Sequence, residues 1–247
     1  MRNLKLEIEY DGSNYVGWQI QNRHTGKSIQ QQIEKVLRKI LQEKVQLFAS
    51  GRTDSGVHAI AQVANFRTNS QISSDRLQLA LNGNLPQDIV ITKINDMPAD
   101  FNSRFSAKSK VYRYTILNRK YHSPLLRNTV YFYHHPLSVS LMRRQAKALL
   151  GKHDFKAFCA SGSKVKDTTR TIKKITIKKT SSGFITIDIE ADGFLYNMVR
   201  NIIGTLIAIG RGKLTSVSMR EILNSRNRRL AGPTAPANGL ILFKVNY

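Results

Sequence analysis

The order of the apolar patterns in the first hundred residues is the feature that most limits the fold of this chain. Alternating apolar residues predict a half-exposed strand over 4–10, and helical spacing predicts a helix from Ser28 to about Glu43. Further strands are predicted at 45–49, 60–66 and 89–94, and a second helix at 74–81. This order is that of a ferredoxin-like domain, whose antiparallel sheet has one face without helices.

The rest of the chain repeats this order with insertions, after a boundary near residues 101–107. Strands are predicted at 110–117, 130–133, 171–178, 184–190 and 240–245, and helices at 139–150, 194–209 and 217–223. We therefore expect an α+β protein of two tandem ferredoxin-like (RRM-like) domains, residues 1–105 and 106–247. Their antiparallel sheets would lie side by side, with an active-site cleft at their junction.

The charge of the chain indicates the kind of partner. Lysine and arginine number 39 against 16 aspartate and glutamate residues, which gives a formal net charge of +23. The basic residues run along the whole chain rather than in one tail, which favours a folded surface that follows a polyanion. A merely soluble basic protein is the alternative. An open sheet face on a basic protein is a common platform for RNA.

Other features limit the compartment and the chemistry. Cys159 is the single cysteine, so no intramolecular disulfide can form, which fits a reducing compartment. The sequence has no signal-peptide pattern and no apolar stretch of membrane-span length, so we expect a cytoplasmic protein that does not associate with a membrane. It also has no zinc-ligand spacing and no dinucleotide motif, so we expect neither a metal nor an organic cofactor.

A polar segment between the second and third predicted strands, residues 51–59, has an unusual composition. Asp54, Ser55 and Gly56 are typical turn formers, and a hairpin loop whose aspartate makes an Asx-turn is the ordinary interpretation. Such a turn does not need Arg52 two residues before the aspartate. The alternative is a loop that presents one carboxylate beside one guanidinium.

Two residues in the second half of the chain also allow two interpretations. Arg200 interrupts an otherwise apolar helix face, where a buried arginine would need an acidic partner. An ordinary solvent-facing position on the helix is the alternative. Tyr112 shares one strand face with Tyr114, and packing in the core or at an edge is the usual role of such tyrosines. Stacking against a nucleobase is the functional alternative.

The segment 51–59 is the most distinctive of several motifs that are spread over nearly the whole chain. The others are Tyr10-Asp11-Gly12 with Gly17-Trp18-Gln19, Phe105-Ser106-Ala107, Tyr112-Arg113-Tyr114, and the runs 193–200 and 231–237. In their identity and order these motifs resemble those of the TruA family of tRNA pseudouridine synthases. The chain departs from the family at Asn102-Ser103, between Phe101 and Arg104, where the family usually has His-Ala.

The resemblance implies a reaction and a role for each residue. Members of the family flip a uridine out of its stack and isomerise it to pseudouridine at tRNA positions 38, 39 and 40. They act on the anticodon stem-loop of tRNA as homodimers, without metal or cofactor. By this resemblance Asp54 is the nucleophile, Arg52 lies beside the target nucleotide and Arg200 pairs with the catalytic aspartate. Tyr112 packs on the target base.

The chemistry of the reaction agrees with these residues. Isomerisation breaks a glycosidic bond and rejoins the same uracil through carbon, so one carboxylate can hold the reacting group and no redox partner is needed. A non-catalytic RNA-binding module or RNA chaperone would use the same sheets and charge without depending on Asp54. A hydrolase that releases free uracil is a third possibility. The sequence favours an enzyme, because a simple RNA binder gains nothing from a carboxylate that faces phosphates.

Overall fold

The structure, a computed structural model, describes residues 1–20, 26–163 and 165–247 and divides the chain into two units. The first unit contains residues 1–108 and 241–247, and the second contains residues 109–240. Both contain helices and strands, which confirms the predicted α+β class. The units differ from the predicted domains 1–105 and 106–247 in one main respect, since the last strand belongs to the first unit.

The helices and strands follow one another along the chain in the predicted order, with one addition. The strands are β1 (Arg2–Tyr10), β2 (Phe48–Ala49), β3 (His58–Thr68), β4 (Ile89–Met97), β5 (Ser109–Leu117), β6 (Tyr131–Phe132), β7 (Gly151–Asp154), β8 (Thr169–Lys179), β9 (Phe184–Ala191) and β10 (Leu240–Asn246). The helices are α1 (Ile29–Leu41), α2 (Ser74–Asn82), α3 (Val139–Ala146), α4 (Met198–Gly210) and α5 (Met219–Ser225). The sequence did not predict β7, because Gly-Lys-His-Asp has no apolar alternation.

The sheet of the first unit is built around β1 and β3. β1 pairs antiparallel with both β3 and β4, and the short β2 pairs antiparallel with β3. The last strand adds a parallel pairing at the start of β3, where Ile241 lies opposite His58 and Leu242 opposite Ala59. This pairing is the reason that the chain's end belongs to the first unit.

The core of the first unit lies on the helical side of this sheet. Leu4, Leu6 and Ile8 of β1 have no exposed surface, and helix α1 buries Ile33 and Leu37 completely. Each such side chain contributes on the order of 2 kcal/mol by leaving water. Helix α1 begins where the hydroxyl of Ser28 accepts a hydrogen bond from the Gln31 N–H, which caps the helix.

The second unit has an antiparallel sheet in the order β5-β9-β8-β7, with β6 parallel to β5. Alternate residues of β9 that point to one face, Ile185, Ile187 and Ile189, are fully buried. Helix α4 is apolar on nearly all sides and buries most of its residues. None of the helices in the described parts of the chain has the length and apolar character of a membrane span.

Candidate active site

The segment that carries Asp54 is the connection from β2 to β3. Ala49, the last residue of β2, lies opposite Ala64, so the β3 residues 58–63 lie beyond the end of β2. The connection is therefore not a tight hairpin. The Val57 N–H donates to the Asp54 carbonyl oxygen at 3.1 Å, and Gly56 has φ +75°. The sequence predicts a turn at these residues, and the turn begins at Asp54, which is half-buried. Arg52 is exposed in the same segment.

A second loop, residues 11–18, lies against this segment through its main chain. The Trp18 N–H donates to the Thr53 carbonyl oxygen at 3.1 Å. The Tyr15 carbonyl oxygen accepts hydrogen bonds from the Ser55 hydroxyl at 3.1 Å and from the Gly56 N–H at 3.3 Å. The main chains on both sides of Asp54 are therefore tied to the same neighbouring loop.

Gly17 shows how closely the two loops approach. Its φ is +105°, and a Cβ atom at this position would lie 2.6 Å from the Thr53 carbonyl oxygen. Real Cβ atoms do not come so near a carbonyl oxygen, and side-chain-bearing residues rarely adopt this φ. The contact therefore needs glycine at residue 17.

Buried aromatic side chains support the loop from below. The hydroxyls of Tyr10 and Thr53 are hydrogen-bonded at 2.7 Å, and Trp18 packs beside Tyr10 with ring centroids 6.1 Å apart. Burial raises the pKa of the Tyr10 phenol, so this group stays neutral across the physiological range. Thr53, the residue before Asp54, is thus fixed through both its side chain and its carbonyl oxygen.

Asp11, at the start of the second loop, carries the acidic group of this support. Its Oδ1 accepts hydrogen bonds from the Ser13 N–H at 2.9 Å and the Ser13 hydroxyl at 2.6 Å, and it lies 3.0 Å from His58 Nδ1. Burial raises the pKa of Asp11, but the Ser13 hydrogen bonds and the nearby His58 together hold it below its ordinary value.

In the second unit, Tyr112 lies on β5 with 7% of its surface exposed. Its ring makes an edge-to-face contact with Phe194 at 5.1 Å between centroids. The next residue, Arg113, points to the opposite face and forms a bidentate ion pair with Asp188 at 2.7 and 2.8 Å. The hydrogen bond to Asp188 raises the pKa of Arg113.

Arg200 lies in the first turn of α4 and is half-buried. Its Nε donates to the Ala235 carbonyl oxygen at 2.7 Å, and its Nη1 donates to Asn197 Oδ1 at 3.0 Å. The Ala235 N–H returns a bond to the Arg200 carbonyl oxygen at 3.1 Å. The helix begins at Met198 rather than at 194, because Asn197 has φ +59° and interrupts the helical run. Arg200 is therefore held in place and is not an ordinary solvent-facing residue.

Asn201, the next residue, holds α4 to its surroundings, and the sequence did not single it out. Its Nδ2 donates to the Phe158 carbonyl oxygen at 2.8 Å. Its Oδ1 accepts from Arg228 at 2.9 Å and from Thr234 at 2.7 Å. A fully buried asparagine in an apolar helix needs such partners, so its position in the apolar run was the available signal.

The departure at Asn102-Ser103 has a local structural role. Asn102 Oδ1 accepts hydrogen bonds from the N–H groups of Arg104 at 2.9 Å and Phe105 at 3.2 Å. Ser103 is fully buried, with its N–H donating to Asn65 Oδ1 at 2.9 Å and its hydroxyl bonded to the Phe48 carbonyl oxygen. These two residues therefore form a turn and fasten it to the sheet of the first unit.

The predicted site residues are distributed over both units. Arg52 and Asp54 share one loop of the first unit, and Tyr112 and Arg200 belong to the second unit. Among the residues that the structure describes, no three histidine, cysteine, aspartate or glutamate side chains are grouped so that they could hold a metal ion. Cys159 is a buried free thiol.

Comparison with known proteins identifies the family. A family model described as tRNA pseudouridine synthase matches residues 7–106 and 145–247, which is most of the chain. The chain therefore belongs to the tRNA pseudouridine synthase family.

Individual relatives align with this chain over their whole lengths. Proteins named tRNA pseudouridine synthase A from a Thermoanaerobacter species and from Acetivibrio thermocellus are 47% and 48% identical to this chain. A protein from Clostridium perfringens named tRNA pseudouridine synthase A 2 is 49% identical. In each case the alignment covers 100% of both chains.

Proposed function

We propose that the protein isomerises uridine to pseudouridine at positions 38, 39 and 40 in the anticodon stem-loop of tRNA, with Asp54 as the nucleophile. Membership of the tRNA pseudouridine synthase family supports the reaction and the substrate class. The observation that carries the role of Asp54 is the way its loop is held. The residues on both sides of Asp54 are bonded to loop 11–18, so the position of Asp54 in its loop is fixed.

The proposed reaction needs one carboxylate and consumes no second substrate, because uridine and pseudouridine contain the same atoms. The bond from the ribose C1′ to N1 of uracil breaks, the base turns, and a bond from C1′ to C5 forms. The proton on C5 is then lost and N1 gains one, so atoms and electrons balance. Asp54 forms a covalent bond to the substrate while the base is loose, and this bond breaks again before pseudouridine is released, so the carboxylate is regenerated. The reaction proceeds without metal or organic cofactor.

The other site residues assist this step. The uridine has to leave its stack, and we assign to the exposed Arg52 a position beside the target nucleotide. We assign to Tyr112 the packing against the flipped base. Its edge-to-face contact with Phe194 supports this role, because it holds the ring in a fixed orientation. Arg200 is assigned as the cation that keeps the Asp54 carboxylate ionised. Its bonds to Ala235 and Asn197 support this role, since they fix the guanidinium.

The same family supports a finer proposal for the fold, the assembly and the compartment. We assign each unit to the ferredoxin-like class. For the first unit, the strand order β4-β1-β3-β2 with two helices supports this assignment. We further assign a homodimer in the cytoplasm that binds the anticodon arm of tRNA through its basic surface, for which the net charge of +23 is suitable. Sedimentation velocity that gives a monomer near 28.0 kDa at micromolar concentration would contradict the dimer.

The function is tested by tritium release from tRNA labelled with [5-³H]uridine. Changing Asp54→Ala should lower the release rate by at least about 1,000-fold, because it removes a covalent catalyst. Binding of tRNA should change little. Asp100→Ala, which removes an exposed carboxylate of the same unit, is the control and should retain the wild-type rate. Normal release by Asp54→Ala would disprove the proposed role.

The same assay separates the alternative functions. A non-catalytic RNA binder predicts no release by the wild type, full function in Asp54→Ala, and loss of binding when Lys174, Lys178 and Lys179 are changed to alanine. In that triple variant the salt dependence of binding would also be weaker. A uracil hydrolase would release free base, which chromatography of the digested tRNA detects.

A further inference from the structure

We propose that His58 is a positioning residue for the loop that carries Asp54, a role that rests on the proposed function of Asp54. His58 is the first residue of β3 and follows Asp54 by four positions. Only 4% of its surface is exposed, so its imidazole acts inside the first unit rather than on RNA directly.

The polar contacts of His58 are made through one ring nitrogen. Nδ1 lies 3.1 Å from the Gly12 N, which donates to it, and 3.0 Å from Asp11 Oδ1. One nitrogen cannot accept a hydrogen bond from Gly12 and donate one to Asp11 at the same time, so the two contacts belong to different tautomers. In either tautomer Nδ1 fastens the start of loop 11–18 to the start of β3.

Loop 11–18 passes this restraint on to the residues around Asp54. Gly12 lies so close to Val57 that a Cβ atom on Gly12 would overlap the Val57 carbonyl oxygen. Further along the loop, Tyr15 holds Gly56, and Trp18 holds Thr53. His58 is thus joined to the Asp54 turn by the chain itself on one side and by loop 11–18 on the other. If its ring were lost, both loops could shift together.

The second ring nitrogen defines the test. His58 Nε2 is buried and has no hydrogen-bond partner within the described residues. A buried polar atom without a partner costs free energy, so a residue selected for packing alone would be better apolar. Asparagine places its amide at the level of Nδ1, whereas glutamine places it at the level of Nε2. Asparagine should therefore replace the positioning contact, and glutamine should not.

The experiment compares His58→Ala, His58→Asn and His58→Gln in the tritium-release assay, with kcat and the Kd for tRNA measured separately. We expect kcat of His58→Ala to fall about 10- to 100-fold, since misplacement of a reacting group by about 1 Å has an effect of this size. The Kd for tRNA should stay within about 2-fold, since the ring is buried. His58→Asn should recover kcat to within about 3-fold of the wild type, and His58→Gln should stay low.

A matched control separates positioning from general stability. Ile94 is a buried residue of β4 that lies opposite Leu6 of β1. Ile94→Ala should lower the melting temperature as much as His58→Ala or more. Its kcat, measured well below its melting temperature, should match the wild type.

The outcomes distinguish this proposal from the function on which it rests. If the wild type releases no tritium, the proposed function is wrong. If the wild type is active and His58→Asn and His58→Gln have equal kcat, the positioning role is wrong. This comparison decides the matter even if His58→Ala does not fold. A loss of kcat in Ile94→Ala equal to that in the His58 variants would also overturn the proposal.

Discussion

The Asp54 loop and the start of helix α4 hold a charged residue by two different means. The Asp54 loop is fixed mainly by main-chain hydrogen bonds to loop 11–18 and by close approach at Gly12 and Gly17. Arg200 is fixed by side-chain contacts, both its own and those of the neighbouring Asn201. The first arrangement should be sensitive to added atoms, and the second should be sensitive to the loss of polar groups.

The largest effect is expected from one added carbon in the Asp54 region. Gly17→Ala should lower the free energy of unfolding by about 2–5 kcal/mol, which combines the cost of a positive φ with overlap against Thr53. Chemical denaturation measures this difference. The control is Gly162→Ala, where φ is +81° and no atom lies within 4 Å of the new Cβ, and it should cost only about 1–2 kcal/mol. Equal losses in both variants would show that the two loops do not pack as described.

A smaller effect is expected when the polar support of α4 is removed. Asn201→Ala should lower the free energy of unfolding by about 2–3 kcal/mol, because Arg228 and Thr234 lose a buried acceptor. If α4 positions Arg200, kcat should also fall. Asn118→Ala, which removes two hydrogen bonds to the Tyr133 and His135 carbonyl oxygens of the same unit, should lower stability without lowering kcat. A drop in kcat for both variants would contradict a specific role for Asn201.

Removal of one hydroxyl tests the support beneath Asp54. Tyr10→Phe should cost about 1 kcal/mol of unfolding free energy, because the Thr53 hydroxyl loses its partner. It should also lower kcat, since Thr53 precedes Asp54. Tyr247→Phe removes a hydroxyl of the first unit that donates to the Ser103 carbonyl oxygen at 2.9 Å, outside both loops, and should leave kcat unchanged. The reverse result would mean that the side chain of Thr53 does not contribute to the position of Asp54.

The smallest expected effect concerns the acid stability of the first unit. The pKa of Asp11 is held below its ordinary value of 3.8 in the folded protein, so its stabilising contribution is present above that pH. The contribution is lost as the pH falls through the lower folded pKa. Asp11→Asn should therefore flatten this part of the stability curve, by less than about 1 kcal/mol for a half-exposed group. Thermal melts between about pH 5 and pH 2 measure it, and parallel curves for both proteins would contradict the shift.

The sequence predicted these two regions unequally. Periodicity located nearly every helix and strand, and the turn residues at 54–56 were correctly interpreted, because such signals are local. The short β7 and the delayed start of α4 depend on pairing with β8 and on the backbone of Asn197, which no local pattern reports. The contacts of loop 11–18 with the Asp54 segment join residues about forty positions apart, so no local pattern predicts them. The one sequence signal that could link the two segments is that both carry motifs of the same family.

The most direct test of the account is the mapping of pseudouridine in unmodified transcribed tRNAs treated with the wild type and with Asp54→Asn, which has the same shape but cannot act as a carboxylate. The account predicts new pseudouridine at positions 38, 39 and 40 with the wild type and none with the variant. Equal modification by Asp54→Asn, or modification by the wild type only outside the anticodon arm, would contradict it.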